Sequence, residues 1–194
     1  MQSRSITRRG AMQLGAASLV AVTLMRQAGA SGAQDTPGLP PAVMTDGYAG
    51  GGTVPTATGE AQFSLAVFAR DRGDGSPVTI SGSFQVQDLS DPANPMTMTS
   101  DEITSYSAFS TSLPNARQIT GWAKVNGSGP YPFLLQVEDT VAIGEAADTF
   151  NLVFGNAALP FLLGDLGKTC DCGGFSYSLR GTVASGDLAR FEMS

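Results

Sequence analysis

The chain has 194 residues, of which 42% are hydrophobic and only 14% charged, and its formal net charge is −6. An average protein is about 25% charged, so this surface must be built from Ser, Thr, Gln, Asn and Gly instead of the Glu, Lys and Arg that exposed helices rely on. Histidine is absent, which removes the commonest general base, the commonest metal ligand and every Ser–His or Cys–His nucleophile system.

The N-terminus reads as an export signal, residues 1–30. Thr7, Arg8 and Arg9, followed by Ala11 and Met12, resemble the twin-arginine translocation motif. The apolar run Gly10–Met25 covers 16 residues, short of the about 20 needed to span a bilayer and typical of a signal core. Ala28-Gly29-Ala30 and Ser31-Gly32-Ala33 are small-x-small sequences, so cleavage is expected near residue 30 or 33. An uncleaved N-terminal anchor is the alternative. No Cys follows the apolar run and no second run reaches spanning length. The sequence therefore predicts no lipid anchor and no stable membrane span after cleavage, with the product exported to the periplasm or the medium.

Four of the 11 basic residues, Arg4, Arg8, Arg9 and Arg26, lie in that signal, which leaves 7 against 17 acidic residues and a charge of −10. Such a surface repels phosphate backbones and anionic headgroups, which argues against nucleic acid as a partner. A protein, a neutral glycan or a small apolar ligand remains open.

Residues 31–46, with Pro37, Pro40 and Pro41, are expected to be a disordered Pro/Gly-rich tether. Beyond it the hydrophobic pattern takes a period of two, the signature of half-buried strands. Weak strand signals cover Gly50–Pro55, Met96–Thr99, Ile103–Phe109 and Leu188–Met193. Stronger ones place Phe63, Leu65 and Val67 on one face, then Val78, Ile80, Gly82, Phe84 and Val86. Ile119, Gly121, Ala123 and Val125 follow, then Tyr131, Phe133, Leu135 and Val137, then Phe150, Leu152 and Phe154. Phe175, Tyr177, Leu179, Gly181 and Val183 close the series. Arg72–Pro77, Asp91–Pro95 and Asn126–Gly129 carry turn chemistry between these runs. Only Ala157–Leu166, around Pro160, leaves room for a helical turn. Residues 47–194 are thus expected to form one all-β domain. It is an antiparallel meander of about 8–9 short strands closing into a small barrel or sandwich. Gly82, Gly121 and Gly181 share the inward phase, which favours a strongly coiled, closed sheet with aromatics lying over the glycines.

The order of these elements is similar to the post-COAP type domain, a small bacterial secreted module. The resemblance rests on Gly50-Gly51-Gly52, Phe63, Asp88, Ser100 with Ile103, and Asn126-Gly127. It continues through Tyr131, Phe133, Val137 and Asp139, then Asp148-Thr149-Phe150, and Tyr177 with Gly181 and Gly186. It covers about Gly47 to Met193 and implies an all-β module, found alone or appended to exported proteins, without an established activity. Two features depart from the pattern: the connection Asp139–Asp148 is longer than the family's compact turn, and an insertion, Asn156–Gly174, carries both cysteines.

Cys170 and Cys172 are two apart. In an exported chain such a pair reads first as a disulfide acting as a loop clip. An intermolecular bridge, or a redox or metal role, is the alternative. Glu138, Asp139, Glu145 and Asp148 crowd one connection and are weak calcium candidates, without a D-x-D-x-D-G loop. The favoured reading gives Asp139 and Asp148 backbone N–H groups to bond at the ends of a hairpin. Asp71, Asp74, Asp88 and Asp91 could supply a glycosidase pair only if two lay about 5–10 Å apart in a cleft, and turn aspartates are the default. No Ser sits in a G-x-S-x-G elbow, and Gly50-Gly51-Gly52 precedes no helix that could cradle phosphate. Trp122, in the outward phase, is a candidate for stacking on a sugar ring, or else caps one end of the core.

These readings combine into a monomeric, exported, non-catalytic accessory or binding module without cofactor. A β-barrel carrier of a small apolar ligand is the alternative, and a carboxylate-based hydrolase the weaker one. A buried void, two facing carboxylates in a cleft, or a filled interior would separate the three.

Overall fold

The computed structural model describes residues 43–72, 75–140, 147–162, 170 and 172–192. The signal, its cleavage site and the tether up to residue 42 lie outside them. Nine strands form one antiparallel sheet: β1 (Val43–Pro55), β2 (Glu60–Asp71), β3 (Thr79–Asp88), β4 (Met96–Ser110), β5 (Leu113–Val125), β6 (Ser128–Glu138), β7 (Thr149–Gly155), β8 (Ser176–Thr182) and β9 (Ser185–Phe191). The sheet order is β8-β7-β6-β5-β4-β3-β2-β1-β9, so eight strands meander and β9 returns to the free edge of β1. The all-β meander expected from the alternation is the fold observed.

Three boundaries differ from expectation, the simplest being β9, which starts at Ser185 where Leu188 was expected. The segments at 96–99 and 103–109 are one strand, β4, whose ladder to β5 shifts register at Ser100/Glu102, Ile103/Ser105 and Ala108/Ser110. Bulges of this kind insert unpaired residues and break the alternation that marks a single strand. The first strand begins at Val43, inside the expected tether, because β2 is long enough to offer partners to Val43 and Met44 at Asp71 and Arg70. A single turn of 3-10 helix, Leu159–Phe161, falls within the expected helical stretch. Pro160 stands in its first turn, where a missing N–H is tolerated.

The sheet curls into a barrel-like body. Phe63 of β2 stacks on Phe150 of β7 with ring centroids 4.2 Å apart, and Phe84 of β3 meets Phe133 of β6 edge-on at 4.6 Å. These strands stand several places apart in the sheet, so only a curled sheet lets them touch. The two edges are drawn together by the turn between β8 and β9. There Val183 N–H donates to the Asp148 carbonyl and Ala184 N–H to that of Thr53, both at 2.8 Å. Every strand contributes to one buried cluster, from Tyr48 and Val54 through Met98 and Leu135 to Leu179 and Leu188. The predicted inward residues Phe63, Leu65, Val67, Phe84, Val86, Ile119, Phe133, Leu135, Val137, Phe150, Leu152 and Phe154 lie in it, whereas Val78, also expected inward, precedes β3 and is 51% exposed.

Two of the inward glycines show what the curl demands. Gly82 has φ +128°, a conformation that L side chains rarely adopt, and a Cβ there would enter the Ala66 carbonyl of β2. At Gly121 a Cβ would strike the Glu102 carbonyl of β4 and the ring of Phe133. An overlying aromatic, one of the expected reasons, operates at Gly121, and close approach of the neighbouring strand's backbone adds to it there and acts at Gly82.

The outer face is not polar throughout. Phe133-Leu134-Leu135 and Leu152-Val153-Phe154 are buried in succession, which no one-sided strand allows. Leu134 and Val153 face outward and pack with Ala158, where the insertion that begins at Asn156 folds back across β6 and β7.

Candidate functional site

Among the described residues, the densest set of bonded charged and polar side chains closes one end of the barrel. Asp46 of β1 lies between two arginines. Arg117 of β5 approaches Oδ2 through Nε and Nη2, each at 2.5 Å, and Arg190 of β9 donates from Nε to Oδ1 at 3.0 Å. Arg117 is only 6% exposed and spends Nη1 on the carbonyls of Pro114 and Ala116, both at 2.8 Å. The Tyr48 hydroxyl donates to the Asn115 carbonyl and accepts the Asp139 N–H at 2.9 Å. Burial pushes its phenol up to about 12, so Tyr48 is a neutral donor across the ordinary pH range. Burial and the Asp46 charge drive Tyr106 further in the same direction. Its hydroxyl is buried beside Asp46 without a hydrogen bond of good geometry. Asp139 completes the set by accepting the Arg190 N–H at 3.0 Å.

This network ties β1, β5 and β9 and the segment after β6 together. The Asp46 carboxylate, the two guanidinium groups and the Tyr48 hydroxyl are bonded to one another or to backbone, and the Tyr106 hydroxyl alone among them is buried without such a bond. None of Asp46, Tyr48, Tyr106, Arg117 and Arg190 stood out from the sequence pattern. The signal was there: Asp46 and Tyr48 alternate in one phase, Arg117 extends the inward phase of Ile119, and Arg190 that of Leu188. A charge in an inward phase marks a buried pair.

The calcium candidates divide. Asp148 is 6% exposed and accepts the N–H groups of Thr140 at 3.0 Å and Leu188 at 2.9 Å. Asp139 bonds backbone as described, Glu138 ends β6, and Glu145 lies outside the described residues. Among the described residues no three carboxylate or Cys groups gather as a metal site would require. Asp187 feels the charges of Asp148 and Asp139 without forming such a cluster with them. Burial first, then the charges of those two carboxylates and a hydrogen bond to Asp148, outweigh the Leu188 N–H and raise its carboxyl above the usual range. A raised carboxyl stabilises the fold while protonated, and that contribution is lost as pH rises through its folded titration. Asp187→Asn is therefore expected to melt higher than the parent at pH about 7 and to lose that advantage at about pH 3, where the Asp187 carboxyl is protonated in both states. Thermal scans at the two pH values read this directly.

The second acidic set is spread out. Asp71 and Asp88 end opposite sides of the β2–β3 hairpin, about 30 Å apart at ~3.3 Å per residue, far beyond a glycosidase pair. Burial works against ionisation of Asp88, but hydrogen bonds from the Ser90 side chain and backbone and from Tyr177 outweigh it and hold the carboxyl below the usual range. The Tyr177 hydroxyl of β8 donates to it at 2.7 Å, reaching across the other end of the barrel. Asp91 organises its own turn through Ala93 and Asn94, each at 3.0 Å, and Asp74 lies outside the described residues.

Cys170 and Cys172 are joined in a disulfide with Cα atoms 5.1 Å apart. A loop of about three residues gains roughly 1.6 kcal/mol in the chain-entropy account, against about 3 kcal/mol for fifteen residues. As a clip it contributes little.

Trp122 is 1% exposed, which overturns its reading as an open stacking surface for sugar. It faces outward, opposite Pro132 of β6 in the ladder, on the part of the sheet that is buried on both sides. Trp122 is the chain's single tryptophan. A blue-shifted emission that resists acrylamide is therefore expected; emission near that of free indole in water would contradict the burial.

A depression of about 290 Å³ lies on the same outer face, lined by Leu134, Val153, Phe161, Gln136, Asn151 and Arg180. Phe161 and Leu159 beside it are 46% and 42% exposed. Among the described residues no helix is long and apolar enough to cross a membrane. No protein-family model, curated protein or solved structure matches this chain.

Proposed function

We propose that the chain is an exported, non-catalytic β-module of the post-COAP type that serves as an accessory or binding domain outside the cytoplasm. The supporting observation is the interior. Phe63 on Phe150 and Phe84 on Phe133 fill the space that a carrier would keep for its ligand. The ionised groups at both barrel ends are committed to holding strands, so the surface is left for partners.

Export rests on Thr7, Arg8 and Arg9 ahead of the apolar run. Native mass spectrometry of secreted material tests both parts of the reading. The expected species is a monomer cut near residue 30 or 33 without a bound small molecule. A co-purifying apolar ligand would favour the carrier instead. Replacing Arg8 and Arg9 by Lys is expected to hold the chain in the cytoplasm, and continued export would remove the twin-arginine reading.

A further inference from the structure

We infer that Cys170 and Cys172 form a thiol–disulfide exchange site on the rim of the barrel, which takes electrons from a dithiol on another protein. This goes beyond the accessory-module reading and does not depend on it. The bond closes a ring across a single intervening residue, where a disulfide constrains the unfolded chain least. Stapling the fold is therefore a poor account of it.

The two sulfurs are not equivalent. Cys172 is 5% exposed, whereas Cys170 is only half-buried, so an incoming thiolate reaches Cys170 first. The position of Cys172 is held without its sulfur. Its carbonyl accepts the Phe175 N–H at 2.6 Å, around Gly173 and Gly174 at φ +51° and +82°. The Phe175 carbonyl in turn accepts the Asn156 N–H at 3.0 Å. Its ring lies 5.3 Å from that of Tyr131 and 6.3 Å from that of Phe154. None of these contacts passes through the disulfide, so the sheet is expected to keep its geometry when the bond opens.

The step balances as an exchange. A partner thiolate attacks Sγ of Cys170; the Cys170–Cys172 bond breaks, a mixed disulfide forms on Cys170, and Cys172 leaves as thiolate and takes up a proton. The partner's second thiolate then attacks its own half of the mixed disulfide and releases Cys170, which is protonated in turn. The partner dithiol loses two electrons and becomes a disulfide, and the pair gains them as two thiols.

The test is a series of glutathione buffers from oxidising to reducing, followed by alkylation and intact-mass measurement of the whole exported chain. The pair is expected to convert to two alkylated thiols within the series, with the far-UV circular dichroism of the sheet unchanged. A structural disulfide stays oxidised throughout. Two single variants read the asymmetry: the Cys170 thiol in Cys172→Ser is expected to react with oxidised glutathione at least about tenfold faster than the Cys172 thiol in Cys170→Ser. A pair that remains oxidised, a sheet that melts on reduction, or two thiols of equal reactivity would each overturn the assignment.

Discussion

Asp46→Ala is expected to destabilise the fold by about 3–5 kcal/mol, the cost of breaking a buried ion pair from one side. Arg117 decides the size of the effect. It is 6% exposed, its Nη1 is already engaged by two carbonyls, and without Asp46 its charge loses its counter-ion in the interior. Arg190 is freer to compensate, because Glu192 already accepts its Nη2 at 3.2 Å and is itself well exposed. A domain of this kind has about 5–15 kcal/mol of stability in total, so the variant sits near the threshold of folding. A paired replacement, Asp46→Leu with Arg117→Met, separates the desolvated charge from lost packing. It is expected to recover most of the loss, because apolar groups of similar volume remove the charge together with its partner. Urea unfolding followed through Trp122 emission measures all three proteins. A single-variant loss below about 1 kcal/mol would mean that the network is solvated in the manner of a surface pair.

The sequence exposed the barrel wall and hid its end. Strands β2, β3 and β6 to β8 were legible because one face of each alternates strictly: Phe63, Leu65, Val67 on one, Phe133, Leu135, Val137 on another. Strand β4 was read as two pieces because its bulges shift the phase at three places, and a shifted phase looks like a break. Asp46 was assigned to the tether because the four residues Val43–Asp46 carry too little pattern to read alone. They become a strand only when Ala69 to Asp71 are there to pair with. The outer layer was hidden for a related reason. Leu134 and Val153 interrupt the alternation by adding apolar residues where polar ones were expected, and what covers them includes Ala158, from a segment with no period of its own. The candidate sites followed the same rule. Local chemistry, the bonding of Asp139 and Asp148 to backbone N–H groups, was readable from residue type. The Asp46 network was not, because its members lie 71 and 144 positions apart in the chain and only the closing of the sheet brings them together.

Phe133→Ala is the second large effect, and it bears on function as well as on stability. The ring is fully buried, meets Phe84 edge-on at 4.6 Å and lies over Gly121, where no Cβ could be accommodated. Deleting it removes apolar burial and leaves a void that neighbouring strands, fixed by ladders on both sides, cannot collapse into. The expected cost is about 3–5 kcal/mol. The void is apolar and should stay dry, so it becomes a site for a benzene-sized molecule. Benzene is then expected to raise the melting temperature of the variant through binding to its folded form and to leave that of the parent unchanged. This contrast decides between the two leading readings of the barrel. A parent protein that benzene also stabilises would possess a ligand space of its own, and the carrier would replace the module. A variant that alone responds identifies Phe133 as the side chain that occupies the space a carrier needs, and places whatever this protein binds on its outside.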